Sequence, residues 1–571
     1  MSRRGVIKDI IITPVAFHDM PLLNSVGVHE PFALRSIIEV ITEDTYGLGE
    51  SYGDSTHLDR LKAASKQIKG LSVYNTNGIY QKCTASLEGN ATSGGDGMAG
   101  MVTTASVADK VFSPFEVACL DIQGKLAGVP VSDLLGGRVR DQVQYSAYLF
   151  YKWAGHPGEA DDEYGAALDA PGLVRQAQKI IDEYGFKAIK LKGGVYPPAQ
   201  EVEAIKALHA AFPNVPLRLD PNAAWTVETS KWVAAELKGV VEYLEDPAPE
   251  IDGMAAVAKD ASMPLATNMA VVAFSHLPSS IRQDAVQVIL SDHHFWGGLR
   301  KSQQLAAICA TWGMRLSMHS NSHLGISLAA MTQLASATTN LDYACDTHWP
   351  WKRRDEDVVV DGALKWSEGG VIVPRTPGLG VELDRGANVV ATDIQDTLLD
   401  ALPAAIEAEH KERLLPYKCD SSDDAGVQKL VSDTVARFGR LDILDSNLLV
   451  NLTGPFVTSQ NAVRQYLSQE LVNGHRGTTL NVISTAGNHG GRAGVAYTAS
   501  KHGLVGLTKS TAAFYGPKGI RSVGTMPGAM PTNISGGSHD ISRLHPEGMA
   551  LYGMNTINGA LVPTNMGWAA V

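Results

Sequence analysis

The sequence predicts an α/β protein. A modified TIM (β/α) barrel, residues 141–384, follows an N-terminal α+β domain over 1–140 and precedes a third segment over 385–571. Two observations carry the barrel. Apolar, strand-like runs end in polar residues at Lys190–Lys192, Asp220, Glu245, Asn268, Asp292, His319 and His348, at steps of 23–29 residues, each about one strand plus one helix. A further run, YSAYLFY (145–151), stands before them and brings the strands to eight. Eight β/α units that present polar groups at strand C-terminal ends describe a TIM barrel with its active site at the top.

Taken in order, residues 6–17 and 34–51 read as strands, the second broken by a Thr-Tyr-Gly turn, with a mobile-looking loop, PLLNSVGVHEPF (21–32), between them. Ser55 and Thr56 can cap a helix whose apolar stripe is Leu58, Leu61, Ala64 and Ile68. The Gly-rich stretch 89–100 lacks phosphate-loop spacing and reads as a flexible loop. FEVACLDIQGKLAG (115–128) has helical spacing, and LGG (135–137) closes the domain. Beyond the barrel strands, 361–384 reads as a hairpin-like tail. At about residue 385 the text changes character: RGANVVATDI (385–394) reads as a strand ending in an acid, and helices and strands alternate to about 533. The last 38 residues, rich in Gly, Asn, Pro and Met, read as loop-like or poorly ordered.

Composition bounds the function. A chain of 571 residues is too long for one core, and 44% apolar with 19% charged residues is ordinary for a soluble protein. A net charge of −12 argues against nucleic acid or an anionic membrane as partner. The cysteines (Cys83, Cys119, Cys309, Cys345, Cys419) have no paired spacing, the start has no signal-peptide apolar core, and no apolar run spans a bilayer, so a cytoplasmic location is expected. The expected partner is a small molecule, and the expected assembly a homo-oligomer.

The chemistry lies at the barrel top. Asp220, Glu245 and Asn268 end successive strands, and three oxygen ligands without Cys or His suit a hard cation, most simply Mg²⁺. Unrelated strand-end polar residues are the plain alternative; the ligand types and even spacing favour the cation. Lys190 and Lys192 are two apart on one strand and point to one side, where one lysine can act as base and the other neutralise developing charge. Asp292 and His319 end adjacent strands, so Asp292 can hold the imidazole in one tautomer. His293, His294 and His323 have no partner by spacing and read as packing or support. A divalent metal flanked by two acid/bases fits proton abstraction next to a carboxylate.

These residues resemble the enolase superfamily and, within it, the glucarate dehydratases, over about residues 5–384: KLKGG, LDPNAAW, YLEDP, ATNM, SDHHFW, MHSNSH and DTHW stand in the family's order. The resemblance implies Asp220, Glu245 and Asn268 as Mg²⁺ ligands, Lys192 as one base, and His319 with Asp292 as the other. Lys190 and Asn222 would stabilise the enediolate. It also implies that the N-terminal domain is a capping lid. Asn24, His29, Tyr148, Asn321 and His348 match substrate-contacting positions, as does Thr103, with Thr104 the alternative. The implied reaction is dehydration of an acid sugar, a hexarate such as D-glucarate or its epimer L-idarate. One segment departs: the family continues past GVELD for several dozen residues, completing the lid and supplying a substrate-binding arginine, and that stretch is absent here. An activity impaired by its loss is one expectation.

Residues 385–533 resemble instead a short-chain dehydrogenase/reductase, an incomplete Rossmann-like α/β segment. Ser484, Tyr497 and Lys501 stand at that family's spacing in STAGNHGGRAGVAYTASK, Asn451 matches its fourth catalytic position, and Asp393 resembles the acid that contacts the adenosine ribose of NAD. No Gly-rich turn with its strand and helix precedes RGANVVATDI, so the pyrophosphate loses its backbone N–H cradle, and NAD(P) is not expected to bind. An NAD(P)-dependent oxidoreductase and a gene fusion without catalysis are the competing readings.

Overall fold

The computed structural model describes residues 5–87, 106–157, 159–353, 356–384, 389–393, 399–400, 414–420, 423–439, 441, 443–446, 452–472, 475–488, 495–527 and 561–564. The chain divides into two compact units, Met1–Asp384 and Arg385–Val571. Among the described residues no helix is long and apolar enough to cross a membrane.

In the first unit, Asp9–His18 pairs antiparallel with Phe32–Ile41, which pairs antiparallel with Tyr46–Tyr52. The turn between the last two comes earlier than the sequence suggested, because Thr42 Oγ1 donates to Thr45 O at 2.7 Å and closes it. The 21–32 stretch, read as a mobile loop, contains a small antiparallel pair, Leu23–Asn24 with Gly27–Val28. The next helix, Ser55–Ile68, buries the expected Leu58, Leu61, Ala64 and Ile68, but its cap is Asp54, not Ser55 or Thr56. Asp54 holds extended backbone and accepts from His57 N–H at 2.8 Å, which the sequence reading placed one residue too late.

The helix Val107–Ala127 lies directly on the strand Tyr46–Tyr52. A Cβ at Gly47 would fall 2.0 Å from Ala118 O, and one at Gly49 would fall 2.1 Å from Pro114 O. Two glycines on one face of the strand therefore meet one helical turn, and backbone touches backbone. That contact brings three acids of the N-terminal domain to the barrel. Glu116 accepts from Leu299 N–H at 2.9 Å and Arg300 N–H at 3.3 Å, at the start of helix Leu299–Thr311. Glu50 accepts from Leu324 N–H at 2.9 Å and Ser327 N–H at 2.8 Å, at the start of helix Gly325–Ala337. Asp121 accepts from Leu48 N–H at 3.0 Å and Leu379 N–H at 2.8 Å. Helix N-termini leave N–H groups unpaired inside their own helix, and Glu116 and Glu50 fill them from a neighbouring domain.

The barrel strands are Ala147–Phe150, Ile189–Lys192, Leu217–Asp220, Tyr243–Glu245, Leu265–Thr267, Val288–Ser291 and Arg315–Met318, all parallel and adjacent in chain order. The eighth place differs from expectation: residues 341–346 close the ring through single bridges, Leu316 with Leu341 on one side and Tyr145 with Cys345 on the other. The tail forms a hairpin, Trp366–Ser367 with Gly370–Ile372, joined to Gln142–Gln144.

In the second unit, Val389–Asp393 pairs parallel with Leu414–Lys418. A separate parallel sheet contains Ile443–Ser446, Gly477–Val482, Ile520–Pro527 and Leu561–Thr564, in that order. Among the described residues no ladder joins the two sheets. Leu561–Thr564 is a strand, which corrects the reading of the last 38 residues as wholly irregular.

Glu50 gives the fold a pH dependence. Burial pushes its carboxyl up, but Arg35, His323 and the Leu324 and Ser327 N–H groups outweigh that and hold it at about 2. A carboxyl depressed in the folded state contributes stability above its unfolded value near 4.5, and loses it as pH falls towards 2. The size of the shift corresponds to roughly 3 kcal/mol. Glu50→Gln should therefore destabilise the first unit by about 3–5 kcal/mol at neutral pH, leaving Arg35 buried without its partner. In denaturant titrations the gap between wild type and variant should shrink between pH 4.5 and the acid limit of folding.

Candidate active site

Strand period and register assemble the first cluster. Lys190 and Lys192 project to one side of their strand, Lys192 is in register with Asp220, and the pairing of Leu244 with Leu219 sets Glu245 beside Asp220. All five of Lys190, Lys192, Asp220, Glu245 and Asp346 are buried. Lys190 Nζ lies 2.6 Å from Glu245 Oε1, 2.8 Å from Asp346 Oδ2 and 3.2 Å from Asp220 Oδ2. Lys192 Nζ lies 2.7 Å from Asp220 Oδ2 and 2.6 Å from Asn222 Oδ1. Burial works to lower the Lys190 pKa, but Asp346 and Glu245 outweigh it and hold it well above the usual lysine range. For Asp220 burial is overcome by Lys192 and Lys190, and its carboxyl sits well below the usual range. Glu245 goes the other way, raised by burial and by the charge of Asp220.

The loops after these strands are tightly wound. Asn222 and Ala223 follow one another with φ of 54° and 57°, and Asn222 N–H donates to Asp220 Oδ1 at 3.0 Å. Asp246, at φ 35°, accepts from Thr267 Oγ1 at 2.5 Å, Asn268 N–H at 2.8 Å and Met269 N–H at 3.1 Å. Asp246 thus carries the turn on which Asn268 sits. Burial and Asp220 push its carboxyl up to about 6.

Two oxygens in this cluster stand out. Glu245 Oε2 and Asn268 Oδ1 are buried and make no hydrogen bond. A buried acceptor with no donor is costly unless something outside the protein's own groups meets it. With Asp220 nearby, the donor set is all oxygen, and these residues fit a hard divalent cation.

The second cluster is built on Asp292. Its Oδ2 lies 3.2 Å from His319 Nδ1, the expected pair. Its Oδ1 is taken by His294, whose N–H donates at 2.9 Å and whose Nδ1 lies at 2.7 Å. The reading of His294 as partnerless is thereby corrected: the turn after the strand folds it back onto the carboxylate two residues earlier. His294 and His319 together hold the Asp292 carboxyl well below its usual range against burial. His293 is pushed well down by burial and by His294, and His323 is held at about 4 by burial.

The remaining expected residues gather around His348. Its ring lies 4.9 Å from that of Tyr148 and 5.4 Å from Phe150, and Ser320 Oγ is 3.2 Å from its Nδ1. Burial, then the charges of His29, His323, His319 and Lys192, push the His348 imidazole well down. Tyr148 OH donates to Asp220 Oδ2 at 3.3 Å. From the N-terminal domain, His29 reaches the same place, 5.9 Å from the Phe150 ring and 3.0 Å from Asp19 Oδ2. Asn24 Oδ1 accepts from Val26 N–H at 2.9 Å, and Asn321 Nδ2 donates to Tyr52 OH at 2.8 Å. Thr103 and Thr104 lie outside the described residues.

In the second unit, Lys501 Nζ donates to Val482 O at 3.0 Å and lies 5.5 Å from the Tyr497 ring. Ser484 Oγ accepts from Ala486 N–H at 3.2 Å. Asp393 ends its strand, while its side chain and Asn451 lie outside the described residues.

Sequence reasoning missed Asp346, Asp246 and Arg35. Asp346 stands two residues before His348 in CDTHW, where period-2 alternation already placed it on the same side.

Comparison with known proteins finds different families along the chain. Residues 172–387 match the enolase C-terminal domain-like family, residues 444–540 the short chain dehydrogenase family, and residues 383–448 the enoyl-(acyl carrier protein) reductase family. The chain is 50% identical to a protein of Streptomyces coelicolor named probable glucarate dehydratase, over 67% of this chain and 90% of the relative. It is 37% identical to a short chain dehydrogenase/reductase of Colletotrichum higginsianum, over 33% of this chain and 87% of the relative. Among solved structures, an enolase from Gibberella zeae complexed with magnesium, formate and sulfate superposes with a TM-score of 0.66 at 83% identity, covering 67% of this chain and 89% of that one. An enolase from Mycobacterium smegmatis complexed with tartrate gives 0.64 at 61% identity, covering 67% and 90%.

Proposed function

Because the chain belongs to the enolase superfamily in its first unit and carries a short-chain dehydrogenase/reductase segment in its second, we propose that the first unit is a Mg²⁺-dependent hydro-lyase acting on an acid sugar. The substrate is a hexarate, D-glucarate or L-idarate, and the product 5-dehydro-4-deoxy-D-glucarate. The observation that carries this reading is the pair of buried, unpartnered oxygens, Glu245 Oε2 and Asn268 Oδ1, at the ends of the two strands that follow that of Asp220. The tartrate in the Mycobacterium smegmatis enolase, a hydroxylated dicarboxylate, is of the same chemical class as the proposed substrate.

Asp220, Glu245 and Asn268 would hold the Mg²⁺, which when bound supplies a Lewis acid for the substrate carboxylate. The chain's own residues do the rest. Lys192 takes the proton next to the carboxylate on one face, and His319 does so on the other. Asp292 keeps His319 Nδ1 as donor, so Nε2 is the basic atom. Lys190 and Asn222 meet the negative charge that develops as the proton leaves. The acid on the face opposite the base gives its proton to the departing hydroxyl. Tyr148, His348, Asn321, His29 and Asn24 would orient the substrate and exclude water, as would Thr103.

Incubation with Mg²⁺ and a set of acid sugars, scored for 2-keto acid product, tests the reaction. Turnover should be confined to hexarates and abolished by chelator, and Glu245→Gln should reduce it at least about 100-fold. Turnover that survives metal removal would sink the assignment.

The two bases separate in deuterated water. Lys192→Ala and His319→Asn should both lose dehydration. Each should keep proton exchange from the epimer that its partner deprotonates. Equal loss from both epimers in both variants would refute the two-base assignment.

An NAD(P)-dependent activity of the second unit is the competing reading. In a Rossmann sheet the first strand stands at the centre and leads into the phosphate-binding turn. Here the strand pair Val389–Asp393 and Leu414–Lys418 is not laddered to the other four described strands. Calorimetric titration of the whole protein with NADH and NADPH should show no binding; a micromolar dissociation constant would overturn this view.

A further inference from the structure

Behind the Asp292–His319 pair lies a buried chain of side chains that the proposed reaction does not use. We infer that Arg35 and His294 lock the tautomers of this chain and are positioning residues for the His319 face alone; the inference rests on the two-base reading above. Arg35 Nη2 lies 3.1 Å from His294 Nε2, and a guanidinium only donates, so Nε2 must accept. The ring proton of a neutral His294 is then on Nδ1, which donates to Asp292 Oδ1 at 2.7 Å. The backbone N–H of His294 donates to the same oxygen at 2.9 Å. Ser327 Oγ, 3.0 Å from Nε2, can serve as a further donor there.

With Oδ1 filled by two donors, the carboxylate cannot rotate without stranding buried N–H groups. Its Oδ2 therefore stays turned to His319 Nδ1 at 3.2 Å, and His319 keeps its basic Nε2 free. Because Arg35 donates to His294 Nε2, His294 meets Asp292 through its Nδ1 and backbone N–H alone. Arg35 is itself fixed by Glu50 at 2.9 Å, and Glu50 by the helix after the His319 loop. Arg35, His294, Asp292 and His319 are all buried.

Asp292, His293 and His294 also bring ligand atoms within 4.8 Å of one another, as a metal site would. The guanidinium at His294 makes that place unfavourable for a cation, and the hydrogen bonds already account for Asp292. Lys192 is bonded instead to Asp220 and Asn222, in the other cluster. Loss of the lock should therefore be felt on one face only.

Proton exchange from D-glucarate and L-idarate in deuterated water, followed by NMR on the full-length Mg²⁺-loaded protein, reads each face separately. The epimer whose exchange His319→Asn abolishes marks the His319 face. His294→Ala should slow exchange from that epimer about 10–100-fold, the usual effect of losing an outer hydrogen-bond partner, and leave the other within about twofold. His294→Asn, whose amide can still donate to Oδ1, should recover most of the loss. Arg35→Lys keeps the charge beside Glu50 but not the fork that reaches Nε2, and should show the same one-sided loss if His294→Ala does not fold. Unchanged exchange on the His319 face, or equal loss on both faces, overturns the lock. If wild type exchanges neither epimer, the two-base reading fails and the lock falls with it.

Discussion

The barrel mouth depends on holding two lysines and three acidic side chains out of water at once. An isolated buried ion costs several kcal/mol even after relaxation, and removing one partner of a buried pair typically costs about 3–5 kcal/mol. Lys190 is therefore tolerable only because Glu245, Asp346 and Asp220 all reach it, and Lys192 because Asp220 and Asn222 do. The strand period aims the lysines, while the closed ring supplies acids from strands far apart in the chain. The left-handed backbone at Asn222 and Ala223 is a strained conformation for residues with a side chain. Its position beside the charge cluster, with Asn222 bonded both to Asp220 and to Lys192, gives that strain a purpose.

The N-terminal domain is bound to the barrel by chemistry of the same kind. Glu50 and Glu116 each occupy the start of a barrel helix, where unpaired N–H groups and the helix dipole favour a negative charge. The close approach of Gly47 and Gly49 to the helix Val107–Ala127 lets these acids reach that far. Because Glu50 also fixes Arg35, the contact that docks the domain is continuous with the hydrogen bonds around Asp292. Domain position and the hydrogen bonds around Asp292 and His319 are one network.

Much of this was legible in the sequence, for identifiable reasons. The ladder of strand-end polar residues survives because strand and helix lengths in a β/α unit vary little, so even Asn268 and His319, which fall just past their strands, kept their places. What escaped depends on turns and ring closure. Asp54 rather than Ser55 caps its helix because backbone conformation, not residue type, picks among neighbouring cap formers. His294 looked partnerless because spacing along the ladder says nothing of a turn that folds residue 294 onto residue 292. Asp346 was passed over because its partner, Lys190, is 156 residues away and meets it only when the ring closes. In the second unit, the sequence lacks a glycine turn before RGANVVATDI, and among the described residues no ladder joins the two sheets.

The junction near residue 384 follows from the way the first unit ends. Leu379 is pinned by Asp121, Glu382 receives the hydroxyl of Tyr46, and Leu383 bridges to Val359. The end of the first unit is thus sewn to the strand Tyr46–Tyr52 and the helix Val107–Ala127, the two elements that touch at Gly47 and Gly49. These anchors all lie within the first unit, so a different sequence can follow residue 384 without unpicking them.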